Sequence, residues 1–365
     1  MKKITINDIA KKAGVSQATV SFVLNNKKSN IKISKKTRDK VLKIVKSLNY
    51  KPHILAKGLK SGKSTLVGVV FSEIWRENEA KLFEGIENFL SKNGYGIIFK
   101  TTGSNFEKEK QAIEFLLEKK VEGLIIQSVL YFDEKAKEYI FDLEKKGIKM
   151  VIIGSENKGF NSPVVGFDDK LVGFIATKYL ITLGHREIIC LTNTFKGNIV
   201  GILRMEGYKE AMDKEGIEIK EEFINEINSE GIGYYRAGYE KMKEIIEKKI
   251  KFTAIFSHCD MATLGILKCL DKSGLKVPAD ISVVSVDNES FSEYLNPPLT
   301  TINLDNYKLG EIAGETLLKL LNNKKTEDKF LKPEIMIRKS TKEVMEYEGR
   351  KIKKYIIKAE RRRKK

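Results

Sequence analysis

From Leu66 onward the chain repeats one pattern, an apolar run of strand length followed by an amphipathic segment of helical length. Leu66 to Phe71, Gly96 to Phe99, Gly123 to Gln127 and Met150 to Gly154 read as strands buried on both faces, because unbroken hydrophobicity suits a parallel sheet covered by helices on either side. Helices expected near Glu79 to Lys92, Glu107 to Lys119 and Lys135 to Lys146 separate them, which is βαβ repetition. A second series follows, with strands at Val164 to Phe167, Ile188 to Thr192, Ala254 to Ser257 and Ile281 to Val286. Its helices are expected at Leu171 to Leu183, Leu203 to Glu215, Tyr235 to Lys248 and Met261 to Ser273. Two such series predict an α/β body of two doubly wound lobes. Sheets of this kind bind ligands outside the carboxyl ends of their strands, so facing lobes frame a cleft.

The body is preceded by a segment of different character. The first 63 of the 365 residues hold 17 Lys or Arg against only Asp8 and Asp39, residues 64–349 hold 40 basic to 46 acidic, and residues 350–365 hold 10 to 1. The net charge of +18 therefore sits at the two ends, and a basic head makes a polyanion a natural partner. Apolar runs such as Leu66 to Phe71 and Met150 to Ile153 are too short to span a bilayer, and the first residues lack the apolar core of a secretory signal. The expectation is a cytoplasmic protein with no membrane partner. Cys190, Cys259 and Cys269 show neither C-x-x-C nor a His at metal spacing and are expected to be buried free thiols, so no metal or cofactor is implied.

Within the head, Thr5 with Asp8 three residues later resembles a capping box, and Ser16 and Ser34 are N-cap candidates for two further helices. Gly14 stands where a tight turn needs positive φ. Ile6, Ile9, Ala10, Ala13, Val15, Val20, Val23 and Leu24 supply inward faces, and Val41, Ile44, Val45 and Leu48 close the core. The result is a three-helix, helix-turn-helix unit over residues 1–48 whose second helix suits the major groove of DNA. Gln17, Ala18, Ser21 and Phe22 are the candidate base readers: Gln17 pairs bidentately with adenine, and Ala18 and Phe22 touch a thymine methyl. Thr5, Ser16, Thr19 and Asn25 are the candidate phosphate contacts.

The runs T-I-N-D-I-A-K-K-A-G-V-S-Q-A-T-V-S-F-V-L-N at Thr5 to Asn25 and T-R-D-K-V-L-K-I-V-K-S-L-N-Y-K-P at Thr37 to Pro52 resemble the LacI/GalR family of bacterial transcriptional repressors. Further matches are L-G-H-R-E-I at Leu183 to Ile188, R-M-E-G-Y at Arg204 to Tyr208, L-K-V-P-A-D-I-S-V-V-S-V-D-N at Leu275 to Asn288 and P-P-L-T-T-I at Pro297 to Ile302, so the likeness runs to about Thr341. It implies a homodimer that grips a pseudo-palindromic double-stranded DNA operator, with a core like that of periplasmic sugar-binding proteins. The family often carries Arg where this chain has Phe22, which favours an operator half-site richer in A·T.

Residues 49–63 resemble the family's hinge helix, which folds on operator DNA; Ala56, Leu59 and Lys60 would lie at the minor groove, with Leu59 as the apolar wedge. Gly58 weakens such a helix by about 1 kcal/mol relative to Ala. Gly58 to Ser64 also looks like a phosphate-binding loop, but three residues separate its glycines where that motif needs four, and the strand follows rather than precedes it.

For the cleft, the resemblance makes Arg204 and Asp287 an effector-binding fork at strand-end loops, suited to a sugar or sugar phosphate, the alternative being a salt bridge that holds the lobes together. Asp260 falls where the family usually has a ligand-side Asn-Asp pair, while Asp168 and Asp169 match a pair that more often orients loops. Trp75, in the loop after the first strand, is a candidate to stack on a sugar ring, the alternative being an aromatic packed on the next helix. The core is expected over residues 64–340, with the first lobe at about 64–161 and 290–325, the second at about 162–289 and 326–340, and a basic tail at 341–365. An enzyme and a ligand-binding protein with nonspecific DNA affinity are the rival classes. His53, His185 and His258 stand far apart and in no catalytic motif, which argues against the enzyme.

Overall fold

The computed structural model describes residues 4–25, 33–48, 64–127, 134–194 and 198–344, which fall into two compact units divided after Thr65. The first unit holds helices α1 (Ile6–Ala13), α2 (Gln17–Asn25) and α3 (Lys35–Ser47). Helix α1 starts on a reciprocal capping box: the Thr5 amide donates to the Asp8 carboxylate at 2.7 Å, and the Asp8 amide donates to the Thr5 hydroxyl at 3.4 Å. It stops at Gly14, whose φ of 67° and ψ of 39° are left-handed. The Ser16 hydroxyl accepts from the Thr19 amide at 3.1 Å and the Ser34 hydroxyl from the Thr37 amide at 3.2 Å, so all three expected caps form. Ile9, Ala10, Ala13, Val20, Val23 and Val41 are buried between the helices, edged by the other expected apolar residues and by Ile33. Removing the first cap with Thr5→Ala should cost α1 about 1 kcal/mol, read as faster amide exchange in α1 of the full chain. Unchanged exchange would show that water replaces the cap at no cost.

The second unit contains two six-stranded sheets. The first joins β1 (Leu66–Phe71), β2 (Gly96–Thr101), β3 (Gly123–Gln127), β4 (Met150–Ile153), β5 (Val164–Phe167) and β11 (Lys329–Leu331), in the order β11-β5-β4-β3-β1-β2 and all parallel. The second joins β6 (Ile188–Thr192), β7 (Ile224–Glu226), β8 (Ala254–Ser257), β9 (Ser282–Asp287), β10 (Thr300–Asn303) and β12 (Glu334–Met336), in the order β12-β10-β9-β8-β6-β7, with only the edge strand β12 antiparallel. Helices α4 (Glu77–Lys92), α5 (Phe106–Glu118), α6 (Glu134–Lys145) and α11 (Asn306–Leu321) serve the first sheet, and α7 (Asp169–Thr182), α8 (Ile199–Lys214), α9 (Gly233–Glu247) and α10 (Asp260–Lys272) the second.

Three helix pairs touch backbone to backbone through glycines. A Cβ on Gly85 of α4 would lie 2.1 Å from the Tyr307 carbonyl oxygen of α11, one on Gly207 of α8 1.9 Å from that of Lys170 in α7, and one on Gly265 of α10 1.9 Å from that of Tyr235 in α9. Any side chain there would hold the paired helices apart.

The lobe boundaries differ from those expected. Val164 to Phe167 belongs to the first sheet, where it pairs with β4 across a connection without a helix, and residues 290–303 belong to the second. The segment 326–340 is divided, β11 joining the first sheet and β12 the second. A short all-buried run carries no mark of which sheet it enters, and three-residue strands carry almost no periodicity. Helix α8 also starts earlier than Leu203, because the Asn198 side chain caps it by accepting from the Val200 amide at 3.1 Å.

Candidate functional site

In the head, Gln17 and Ala18 are exposed and Ser21 and Phe22 half-buried, while Val20 and Val23 of the same helix are buried. Positions 17, 18, 21 and 22 therefore share the face turned away from the core. The Ser16 and Thr19 hydroxyls bond each other at 2.9 Å, and the Thr5 hydroxyl donates to Asp8 at 2.7 Å, so the candidate phosphate contacts double as helix caps. Asn25 ends α2. Lys11, Lys12, Lys35, Lys36, Arg38, Lys40, Lys43 and Lys46 are exposed on α1 and α3, giving the unit its cationic surface. Ala56, Leu59 and Lys60 lie outside the described residues, as do the linker 49–63 and the tail beyond 344.

The core's site lies at the carboxyl ends of its strands. Strand β9 ends at Asp287 with φ 112°, followed by Asn288 with φ 54°. Two successive non-glycine residues with positive φ persist only when their surroundings hold them. Here the Asn288 side chain donates to Asn303 at 2.9 Å and accepts from Arg338 at 2.7 Å, and its amide donates to the Thr301 hydroxyl at 3.3 Å. The Asp287 side chain this turn carries is buried. Burial pushes its carboxyl well above the usual range; Arg204 and Arg76 pull it back, and Asp260 and Glu289 push it further up.

Arg204 is not on a strand-end loop as expected. It lies inside α8, where its Nε donates to Asp169 at 2.8 Å and its guanidinium donates to the His258 carbonyl at 2.6 Å, all within the protein interior. The Ser155 hydroxyl also donates to Asp169. Asp260, fully buried, accepts from the Ser292 hydroxyl at 2.5 Å, the Glu289 amide at 3.0 Å and the Thr301 hydroxyl at 2.8 Å. Its carboxylate braces the turn after β9 from below.

The loop after β1 carries Trp75 and, next to it, an arginine that the sequence pattern did not single out. Trp75 is 58% exposed, and its indole N–H donates to Glu73 at 2.7 Å. Its neighbour Arg76 turns inward instead. The guanidinium pairs with Glu79, lies 3.3 Å from Glu73, and sits 5.4 Å from the ring centroid of Tyr234 in the other lobe. That ring stacks on His258 with centroids 6.2 Å apart and planes 17° from parallel. Glu77, the next residue, accepts from the Ser290 amide at 2.9 Å and the Ser290 hydroxyl at 2.8 Å, also across the lobes. The signal in the sequence was R-E-N-E at Arg76 to Glu79, a cation among acids at the head of a helix.

Among the described residues, the buried side-chain atoms without a hydrogen-bond partner include Gln127 Oε1, Glu79 Oε2 and Arg76 Nε from the first lobe and His258 Nδ1 and Glu289 Oε1 from the second. Buried polar groups are ordinarily satisfied, so polar atoms left without a partner near the strand ends make this a candidate ligand site. Burial drives the His258 imidazole well below its usual range, with Arg204 and Arg76 adding to the effect, so the ring is neutral. Glu289 is pushed up to about 7 by burial and by Asp260. His185, by contrast, is tied inside the second lobe at 2.9 Å to both the Thr253 and Ser282 hydroxyls and serves the fold.

A helix-turn-helix unit joined in one chain to a two-lobed core with a polar cleft defines a DNA-binding regulator controlled by a small molecule. Residues 5–53 match the family described as bacterial regulatory proteins, lacI family, and residues 177–341 match the periplasmic binding protein-like domain. The chain is 32% identical to catabolite control protein A of Priestia megaterium and 32% identical to the HTH-type transcriptional repressor PurR of Histophilus somni, each over 93% of this chain and 99% of the relative. Among solved structures, it is similar to the lac repressor dimer bound to operator and the anti-inducer ONPF, at 27% identity and a TM-score of 0.83 over 93% of this chain and 100% of that one. The complex of the transcriptional regulator CelR with cellobiose gives 26% identity and a TM-score of 0.68, over 92% of this chain and 99% of that one. The chain belongs to the LacI family. No helix among the described residues is long and apolar enough to cross a membrane.

Proposed function

We propose that this protein is a homodimeric repressor acting in the cytoplasm, without enzymatic activity, that reads a pseudo-palindromic operator through Gln17, Ala18, Ser21 and Phe22. Thr5, Ser16, Thr19 and Asn25 position it on phosphates, and Ala56, Leu59 and Lys60 engage the minor groove at the centre. Its effector sits between the lobes, against Asp287 and the Arg204 that fixes the cleft floor. Trp75 at the rim and Asp260 beneath the turn shape the site without entering it. The observation that carries this reading is the coexistence, in one chain, of an outward helix face of reader residues and a cleft edged by unpartnered buried polar atoms. The effector shifts the lobes only by binding one arrangement more tightly than the other. A sugar is supported by the cellobiose complex of a relative and by the acid-rich cleft, since carboxylates accept hydroxyl hydrogen bonds.

Selecting bound duplexes from a random pool tests it: an enriched two-fold-symmetric sequence is expected, and no enrichment at physiological salt would overturn it. In the same selection, Gln17→Ala should relax the preference at one position of each half-site by about 1–3 kcal/mol. An unchanged profile would remove Gln17 from the readers.

A further inference from the structure

We propose that Arg76 is a built-in latch of the effector cleft, its guanidinium filling the second-lobe subsite formed by Tyr234, His258 and Asp287 and holding the lobes together until a ligand displaces it. This rests on the cleft being the effector site only for its consequence; the latch itself is a set of contacts between the two lobes.

Several independent features place it. Arg76 occupies the N-cap position of α4 yet makes no side-chain cap, so the side chain is released from the helix start for another role. That side chain is 19% exposed although it leaves a surface loop, because it crosses to the other lobe. There it meets an aromatic ring backed by a neutral imidazole, an arrangement that favours a flat cation. Asp287 and Cys259 from the second lobe and Glu79 from the first are its electrostatic neighbours. Glu77 makes the second tie, so a two-residue step at the head of α4 closes the cleft at Tyr234 and at Ser290 together.

An occupied subsite also restricts what can replace its occupant. Glu79, Asp260, Asp287 and Glu289 crowd the cleft with acid, while Arg204 is already matched by Asp169. A ligand that brings hydroxyl groups or positive charge suits these groups, whereas a phosphate ester would add negative charge beside the Glu79 that a displaced Arg76 leaves unpaired. Of the two effector classes read from the sequence, the latch favours the uncharged sugar.

The Ser290 amide donates across the lobes to Glu77, so its exchange with deuterated water reports cleft opening. The neighbouring Glu289 amide donates to Asp260 within one lobe and is the internal control. In the full, unliganded chain, Arg76→Ala and Tyr234→Leu are each expected to speed Ser290 exchange about fivefold or more, with Glu289 unchanged. Methylguanidinium at about 10 mM should restore slow exchange to Arg76→Ala, and neutral methylurea at the same concentration should not. Ser290 exchange within about twofold of the parent in both variants, or equal responses to the two small molecules, would overturn the latch. Either failure leaves operator selection, and with it the regulator reading, standing.

Discussion

Arg204→Met is expected to destabilise the core by about 3–5 kcal/mol and to abolish its response to effector. Methionine keeps most of the volume of the arginine stem, so cavity formation contributes little. The loss comes from what remains: a buried Asp169 carboxylate that had accepted at 2.8 Å from Arg204 Nε, and a buried His258 carbonyl that had accepted at 2.6 Å from the guanidinium. Asp169 keeps another donor, the Ser155 hydroxyl. An unpaired buried charge costs several times more than the pair itself contributed. Adding Asp169→Leu to Arg204→Met should therefore recover a large part of the lost stability. The check is chemical denaturation of the full chain followed by a probe in the second lobe, with effector response read by operator release. A loss under about 1 kcal/mol would mean that water reaches Asp169 and that the pair is a surface-like contact.

How much of this was legible beforehand follows from the range of each interaction. The three caps and the Gly14 turn were read correctly because a cap joins residues three apart, and short patterns survive in a linear sequence. Three strands of the first series, β1, β3 and β4, follow a similar rule, since a buried parallel strand is an uninterrupted apolar run, whereas β2, expected to be buried on both faces, lies at the sheet edge and is only half-buried. Lobe membership was not, because β5 enters the first sheet through pairing that no local pattern encodes. The cleft divided in the same way. Asp287 was found from its motif and does end a strand, whereas the partnership of Arg204 with Asp169 spans 35 residues and needed the fold. Trp75 drew attention through its size, but the loop geometry delivers Arg76 to the cleft one residue later, and neither residue shows a period that would tell them apart. Asp260, expected on the ligand side, accepts from Glu289, Ser292 and Thr301, contacts across 29 to 41 residues that no local pattern encodes.

The second large effect tests the rigid seat beneath that ion pair. Gly207→Ala is expected to cost about 3 kcal/mol, the upper end of what overpacking does, although it adds a single methyl group. The methyl would lie 1.9 Å from the Lys170 carbonyl oxygen and 2.6 Å from the Phe174 amide nitrogen, and backbone atoms of a packed helix cannot rotate aside as a side-chain tip does. Gly216→Ala is the natural comparison: it sits at φ 63° with nothing within 4 Å of the added carbon, so only torsional strain of about 1–2 kcal/mol applies. If the close approach of α7 and α8 were unimportant, Gly216→Ala would be the worse of the two; the contact predicts the reverse order. Lys170 directly follows Asp169, and Gly207 lies one turn after Arg204, so spreading the helices also pulls the buried pair apart. The two substitutions should then be less than additive, with Gly207→Ala costing roughly 1 kcal/mol less in the Arg204→Met background, where no pair remains to be broken. Strict additivity in that double-mutant cycle would separate the glycine contact from the ion pair, and would confine the role of Gly207 to packing.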